Sequence, residues 1–271
     1  MTGMETPNIN VETYKRMFAE GKRFDGRKLL DSRKIDVSFD VSNKAEGSAR
    51  VKIGKTEVVA GIKLQVGAPY PDSLDKGNLM VSGDLLPLAS PRYEVGPPKF
   101  TAIELPRLVD RAVRESHMID LKKLVIKEGE KVWTVIIDVY PINDDGNLLE
   151  AASIAAVAAL KKTMIPAIDE NGKIDYHAPS KTPLPLAEGV EPISISIFKL
   201  GDHLILDPTR EEEEACDVRV TFGVAKHSGK HYIHSAQKSG ETVFTRKELE
   251  SIMEILPKKF DELSEKLKKL L

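Results

Sequence analysis

Apolar and polar positions change period several times along the chain, and each change predicts an element. Residues 11–20 (VETYKRMFAE) carry a short amphipathic helical pattern that stops at Gly21. Residues 35–41 alternate as a strand. Residues 48–53 and 57–66 do the same on either side of Gly54-Lys55, which predicts a hairpin. A loop with prolines and aspartates over 67–77 leads to a strand pattern at 78–86, and residues 89–100 (ASPRYEVGPPKF) are irregular. Residues 118–126 read as a short helix or turn and then a strand. Residues 131–141 (KVWTVIIDVYP) are apolar on both faces, the mark of a central strand. The turn Asn143-Asp144-Asp145-Gly146 leads into residues 148–163 (LLEAASIAAVAALKKT), whose small side chains predict a helix lying close against a sheet.

Residues 166–192 hold five prolines and little periodicity. They read as a crossover between two domains, 1–180 and 181–271. A hairpin is predicted at 193–200 and 203–206 around Gly201-Asp202, then strands at 217–225 and 231–238. Residues 245–271 read as a helix opened by a Thr245/Glu248 capping box and kinked or split by Pro257. Each half supplies strands and then helices, which argues for an α+β fold with mixed sheets rather than a doubly wound parallel sheet.

One helical stretch stands apart. In residues 101–116, TAIELPRLVDRAVRES, Arg107, Arg111 and Arg114 fall within about a 60° sector of a helix. Leu105, Leu108, Val109, Ala112 and Val113 occupy the other side. Thr101 and Glu104 read as a capping box, although Pro106 would be better placed if the helix began nearer Leu105. Glu104, Asp110 and Glu115 lie among the arginines, so the row is either a solvated face laced with ion pairs or a surface for phosphates, which Arg grips better than Lys.

Composition narrows the function classes. In 271 residues, 41% hydrophobic and 30% charged, the formal net charge is −2, so any anion site is a local patch rather than a general nucleic-acid coat. A single cysteine, Cys216, excludes an internal disulfide and a cysteine-based zinc site. No apolar run approaches the length of a membrane span, and the polar start lacks the pattern of a signal peptide. A cytoplasmic protein is expected.

The acidic stretch 207–217 (DPTREEEEACD) carries six carboxylates, which could hold a cation or serve as acid and base, or could form a solvated loop of repelling charges. His227, His231 and His234 cluster around a Ser-Gly-Lys turn without a full zinc-ligand set. No GxxxxGK[ST], GxGxxG or GxSxG unit is present.

Several segments together resemble the RNase PH-like family: RFDGRKLLDSRKIDV, EGSARVKIGKTEVVAGIKLQVGAP, DDGNLLEAASIAAVAAL and LILDPTREEE. They occur in the family's order and cover residues 20 to 255. Within the family the chain is similar to the non-catalytic ring subunits of archaeal exosomes. The resemblance implies two βαβ-type halves and a hexameric ring in which the chain alternates with a catalytic RNase PH-like paralogue. It further implies RNA-binding cap subunits on one ring face, and 3′-to-5′ phosphorolysis of single-stranded RNA with release of nucleoside diphosphates. No cofactor or metal is expected.

The departures from the family pattern distinguish subunit types. Catalytic members carry two adjacent arginines after a G-P-S segment. Here that place reads Gly96-Pro97-Pro98-Lys99-Phe100. Catalytic members also carry a Glu-Asp and a later aspartate after Leu-Asp. Here Leu206-Asp207 is followed by Glu211, Glu212, Glu213 and Glu214, and only Asp217 matches. The resemblance therefore implies no catalytic residue in this chain. It assigns RNA binding to Arg107 and Arg111, with Arg114 a turn further on. Two alternatives remain: an autonomous phosphorolytic exoribonuclease using Glu211 to Glu214 and Asp217, and a non-enzymatic RNA-binding or assembly protein.

Overall fold

A computed structural model describes residues 8–168, 174–175 and 182–270. The first half opens with helix α1 (Asn8–Ala19) and strands β1 (Ile35–Phe39), β2 (Gly47–Ile53), β3 (Thr56–Gly67) and β4 (Asn78–Gly83). Helix α2 (Phe100–Glu115), a 3-10 turn (Leu121–Leu124), β5 (Val125–Lys127), β6 (Lys131–Asn143) and helix α3 (Leu148–Lys162) follow. The sheet runs β1-β2-β3-β6-β4, with β5 on the end of β6. β6 lies between β3 and β4, as its two apolar faces predict. β4 and β6 are parallel, so β4–α2–β6 is one β–α–β crossover in an otherwise antiparallel sheet.

Two small ladders follow, β7 (Met164–Ile165) with β10 (Thr182–Pro183) and β8 (Ala167–Ile168) with β9 (Ile174–Asp175). The expected domain boundary at residue 180 lies outside the described residues. The second half contains β11 (Ile193–Leu200), β12 (His203–Leu206), helix α4 (Arg210–Ala215), β13 (Val218–His227), β14 (Lys230–Ser239) and helix α5 (Arg246–Lys268). Its order is β12-β11-β13-β14 with every ladder antiparallel. The parallel crossover expected of both halves is thus present in the first alone among the described residues. The second half is built from tight hairpins, which join antiparallel neighbours, and a parallel pair needs a longer crossover.

α3 is the shared core. Every residue from Leu148 to Leu160 is buried, and the helix packs on β2 and β3 of the first sheet and on β11 of the second. Alanines make this close approach possible. At Gly47 on β2 a Cβ would lie 2.6 Å from the Ala159 carbonyl oxygen, so the strand has no room for a side chain there.

Three local expectations are corrected. α2 starts at Phe100 with Lys99 as N-cap, and Thr101 does not cap it. Glu104 cannot complete a capping box because its carboxylate is buried against Arg219, Nη2 to Oε1 2.6 Å. Pro106 consequently sits in the second turn, where its missing N–H costs one bond to the Ala102 carbonyl. Pro257 does not split the last helix: α5 is continuous for 23 residues, opened by the expected Thr245/Glu248 capping box. The acidic stretch is not a uniformly solvated loop: Asp207 and Glu212 are buried, while Glu211 and Asp217 stay exposed. Residues 210–215 form α4, whose Thr209 and Glu212 make a capping box.

Candidate RNA interface and a paired cleft

The RFDGR segment and the acidic helix belong to one assembly. Arg23 is buried and grips both carboxylate oxygens of Glu212, with Nε to Oε1 at 2.9 Å, while Nη1 donates to the Leu206 carbonyl and Nη2 to the Asp207 carbonyl. Asp25 orients Arg27 (2.7 Å), and Arg27 in turn reaches the Asp207 carboxylate (3.0 Å). Arg33 Nη2 meets Asp207 Oδ1 at 2.7 Å, and Asn147 Nδ2 donates to the same oxygen at 2.9 Å. Burial alone would raise the pKa of Asp207, but the hydrogen bonds and charge of Arg33 outweigh it and hold the carboxyl below its ordinary value. Asn147 and Asp207 both take left-handed backbone (φ 56° and 45°), which Asn and Asp tolerate better than other side chains. The signature at residues 23–27 is therefore a clamp joining the start of the chain to the second half.

A cleft of roughly 360 Å³ lies next to this clamp, between the irregular segment before α2, the turn at Asp144 and the start of β13. Its charged groups are largely paired with one another. Arg92 bridges Asp144 (2.8 Å) and Glu214 (2.6 Å), Tyr93 also donates to Asp144, and Arg219 holds Glu104. Glu213 accepts from the Asn147 backbone N–H at 2.8 Å. Burial raises the Glu213 pKa, and the Asp144 charge adds to the rise. The Gly96-Pro97-Pro98-Lys99-Phe100 segment supplies one cation, Lys99, which pairs with Glu94 at 2.8 Å.

Asp217, singled out as a matching aspartate, does not line this cleft. It is exposed, and its Oδ2 accepts from the Gly201 N–H at 2.8 Å, steadying the β11–β12 turn. Arg92, Asp144 and Arg219 were not singled out from the sequence. Arg92 is a lone arginine in an irregular segment and Arg219 a lone arginine in a predicted strand, and only their approach to Asp144 and Glu104 gives them a role. Cys216 is tucked under α4, its thiol donating to the Glu212 carbonyl at 3.1 Å. Burial, with Glu213 and Glu212 nearby, pushes its pKa up, which disfavours the thiolate. His227 and His234 meet at 3.2 Å between Nε2 atoms, and no group of three or more metal-ligating His, Cys, Asp or Glu occurs among the described residues.

The arginine helix buries Leu105, Leu108, Val109, Ala112 and Val113, as its pattern predicts. The row itself is not uniform. Arg114 is half-buried and tied to Asp110 at 2.6 and 3.0 Å and to the Leu79 carbonyl at 2.9 Å. Arg107 and Arg111 are exposed and, among the described residues, bond to no carboxylate. Glu104 is engaged by Arg219 and Asp110 by Arg114, so neither of these acids neutralises the pair, and no ion pair joins Arg111 to Glu115 among the described residues. Two unneutralised guanidiniums about 6 Å apart along the helix axis can bind successive phosphates without reading bases.

A mixed sheet with one parallel crossover and an alanine helix packed between two sheets fit the α+β architecture implied by the RNase PH resemblance, except that the second sheet is antiparallel throughout. Residues 31–166 match the 3′ exoribonuclease family, domain 1, and residues 191–255 match domain 2 of the same family. The chain belongs to this family. It is 44% identical over 265 residues to the exosome complex component Rrp42 of Pyrobaculum aerophilum, covering 97% of this chain and 94% of that protein. A chain of the solved Archaeoglobus fulgidus exosome with RNA bound to the active site superposes with a TM-score of 0.83 at 40% identity, covering 93% of this chain and 98% of that one. A chain of a solved archaeal exosome core gives 0.79 at 37% identity, covering 92% of each.

Proposed function

We propose that this chain is the non-catalytic ring subunit of an archaeal exosome, acting in the cytoplasm. In this reading it alternates with a catalytic RNase PH-like paralogue in a six-membered ring that carries RNA-binding cap subunits. Its part is to hold the 3′ end of single-stranded RNA beside the paralogue's active site. One contrast carries the reading: Arg107 and Arg111 stand exposed without an acidic partner among the described residues, whereas the cleft's Asp144 and Glu104 are occupied by Arg92 and Arg219.

The chemistry follows from that division. An oxygen of inorganic phosphate attacks the phosphorus of the last phosphodiester, the bond to the 3′-oxygen of the preceding nucleotide breaks, and a nucleoside diphosphate leaves. This chain's guanidiniums neutralise phosphates upstream and fix the strand. Fixing it lowers the entropic barrier to a reaction whose groups belong to another subunit. The engaged carboxylates and the missing arginine pair speak against an autonomous exoribonuclease built on Glu211 to Glu214 and Asp217. Purified chain incubated with poly(A) and phosphate should release no nucleoside diphosphate until the catalytic paralogue is added. Release by the chain alone, lost on Asp217→Ala, would overturn the proposal.

A further inference from the structure

We propose that Phe100 and Gln237 form a nucleobase site beside Arg107 and Arg111, in which the phenyl ring stacks on a base of the strand whose phosphates the arginines hold. The proposal rests on the reading that those arginines bind RNA. Phe100, Ile103, Arg107 and Arg111 follow one another at spacings of three and four, so they share a stripe about 80° wide along α2. Phe100 is 64% exposed and Ile103 46%, unusual for large apolar side chains on one helix face.

The stripe forms one wall of a groove completed by Leu108 and by Gln237 from β14, which packs against α2. Among the described residues the Gln237 amide has no hydrogen-bond partner. It therefore has a free acceptor oxygen and free N–H donors for a base edge.

An aromatic ring interleaved with guanidiniums is the arrangement that binds single strands. Every base has a π-face to stack, and the arginines track the backbone. Charge decides the occupant. Among the described residues the one carboxylate lining the groove, Glu104, is engaged by Arg219, which leaves Arg107 and Arg111 unneutralised and favours a polyanion over a protein surface. Phe100 also lines the paired cleft, so its ring stands between the two concavities.

The test uses the ring assembled with the paralogue, without inorganic phosphate, and two probes of equal length: oligo(A) and an abasic ribose-phosphate chain. Phe100→Leu, which stays apolar, should weaken oligo(A) binding about tenfold and leave the abasic probe unchanged. Phe100→Trp should restore affinity, and its indole fluorescence should be quenched by oligo(A) but not by the abasic probe. Equal affinity of Phe100→Leu and wild type for oligo(A), or equal losses on both probes, would overturn the base site. So would dissociation of the Phe100→Leu ring, which would assign this face to a neighbouring subunit. The joint variant Arg107→Glu with Arg111→Glu separates the two ideas. If it leaves both probes bound, the arginine reading fails; if it releases both while Phe100→Leu has no effect, the base site alone fails.

Discussion

Arg107 and Arg114 are one residue type on one helix face, yet their surroundings give them different work. Arg114 has spent its guanidinium on Asp110 and the Leu79 carbonyl, whereas Arg107 and Arg111 remain unpaired among the described residues. Each phosphate contact to a single strand contributes a slope of about −0.7 to log K against log salt. Replacing both free arginines with glutamate should therefore flatten the slope by about 1.4 as well as weaken RNA binding, measured by titration at several salt concentrations. An unchanged slope would return the pair to an ordinary solvated face. Glu150 is the other residue whose environment decides its behaviour. It is buried in α3 with Oε1 unbonded, and burial, with Asp207 nearby, lifts its pKa from 4.5 to about 7. The native state keeps a proton that the unfolded chain has already released. Stability from this group is thus full below pH 4.5 and declines as pH rises to about 7. Glu150→Gln should remove that decline, gaining about 1–3 kcal/mol at neutral pH at ~1.4 kcal/mol per pKa unit. Urea unfolding across the window would read it.

Among the elements, α3 was the most legible from its letters. Thirteen consecutive buried positions leave no polar stripe to find, and alanine is the side chain that lets a helix approach strands on two sides. The approach is close enough to be tested at its partner. A Cβ on Gly47 would meet Thr163 Oγ1 at 2.3 Å and the Ala159 oxygen at 2.6 Å. Gly47→Ala should cost about 1–3 kcal/mol, the range for overpacking, seen as a lower urea midpoint with the m-value unchanged. Strands with clear alternation or with both faces apolar were equally readable, including β6 at the sheet centre. The start of α2 was not. Thr101 and Glu104 have capping-box spacing, but the carboxylate gains more from a buried pairing with Arg219, over a hundred residues away, than from an exposed backbone N–H. The solvated-loop reading of the acidic stretch failed at Asp207 and Glu212 for the same reason. Repulsion counted within a segment takes no account of Arg23, Arg27 and Arg33, which neutralise it from the other end of the chain.

Across the whole molecule those long-range pairs tie the halves together. The Arg23–Glu212 pair is buried on both sides, with side-chain exposures of 0% and 2%. Arg23→Met would leave a buried carboxylate uncompensated and should cost about 3–5 kcal/mol in urea unfolding, with much of the loss recovered on adding Glu212→Leu. Periodicity, turn residues and motif order were enough to determine the α+β class, the order of the main strands and helices, the family and a helix that presents arginines. Those features depend on neighbours three or four residues away, or on motifs spelled out in the chain. Only the tertiary structure decided which arginines are free, that the RFDGR segment is a clamp, that Asp217 lies outside the cleft, and that Arg92 and Arg219 fill it. Whether a charge is spent or available depends on which opposite charge reaches it, and here that partner lies up to 189 residues away in sequence.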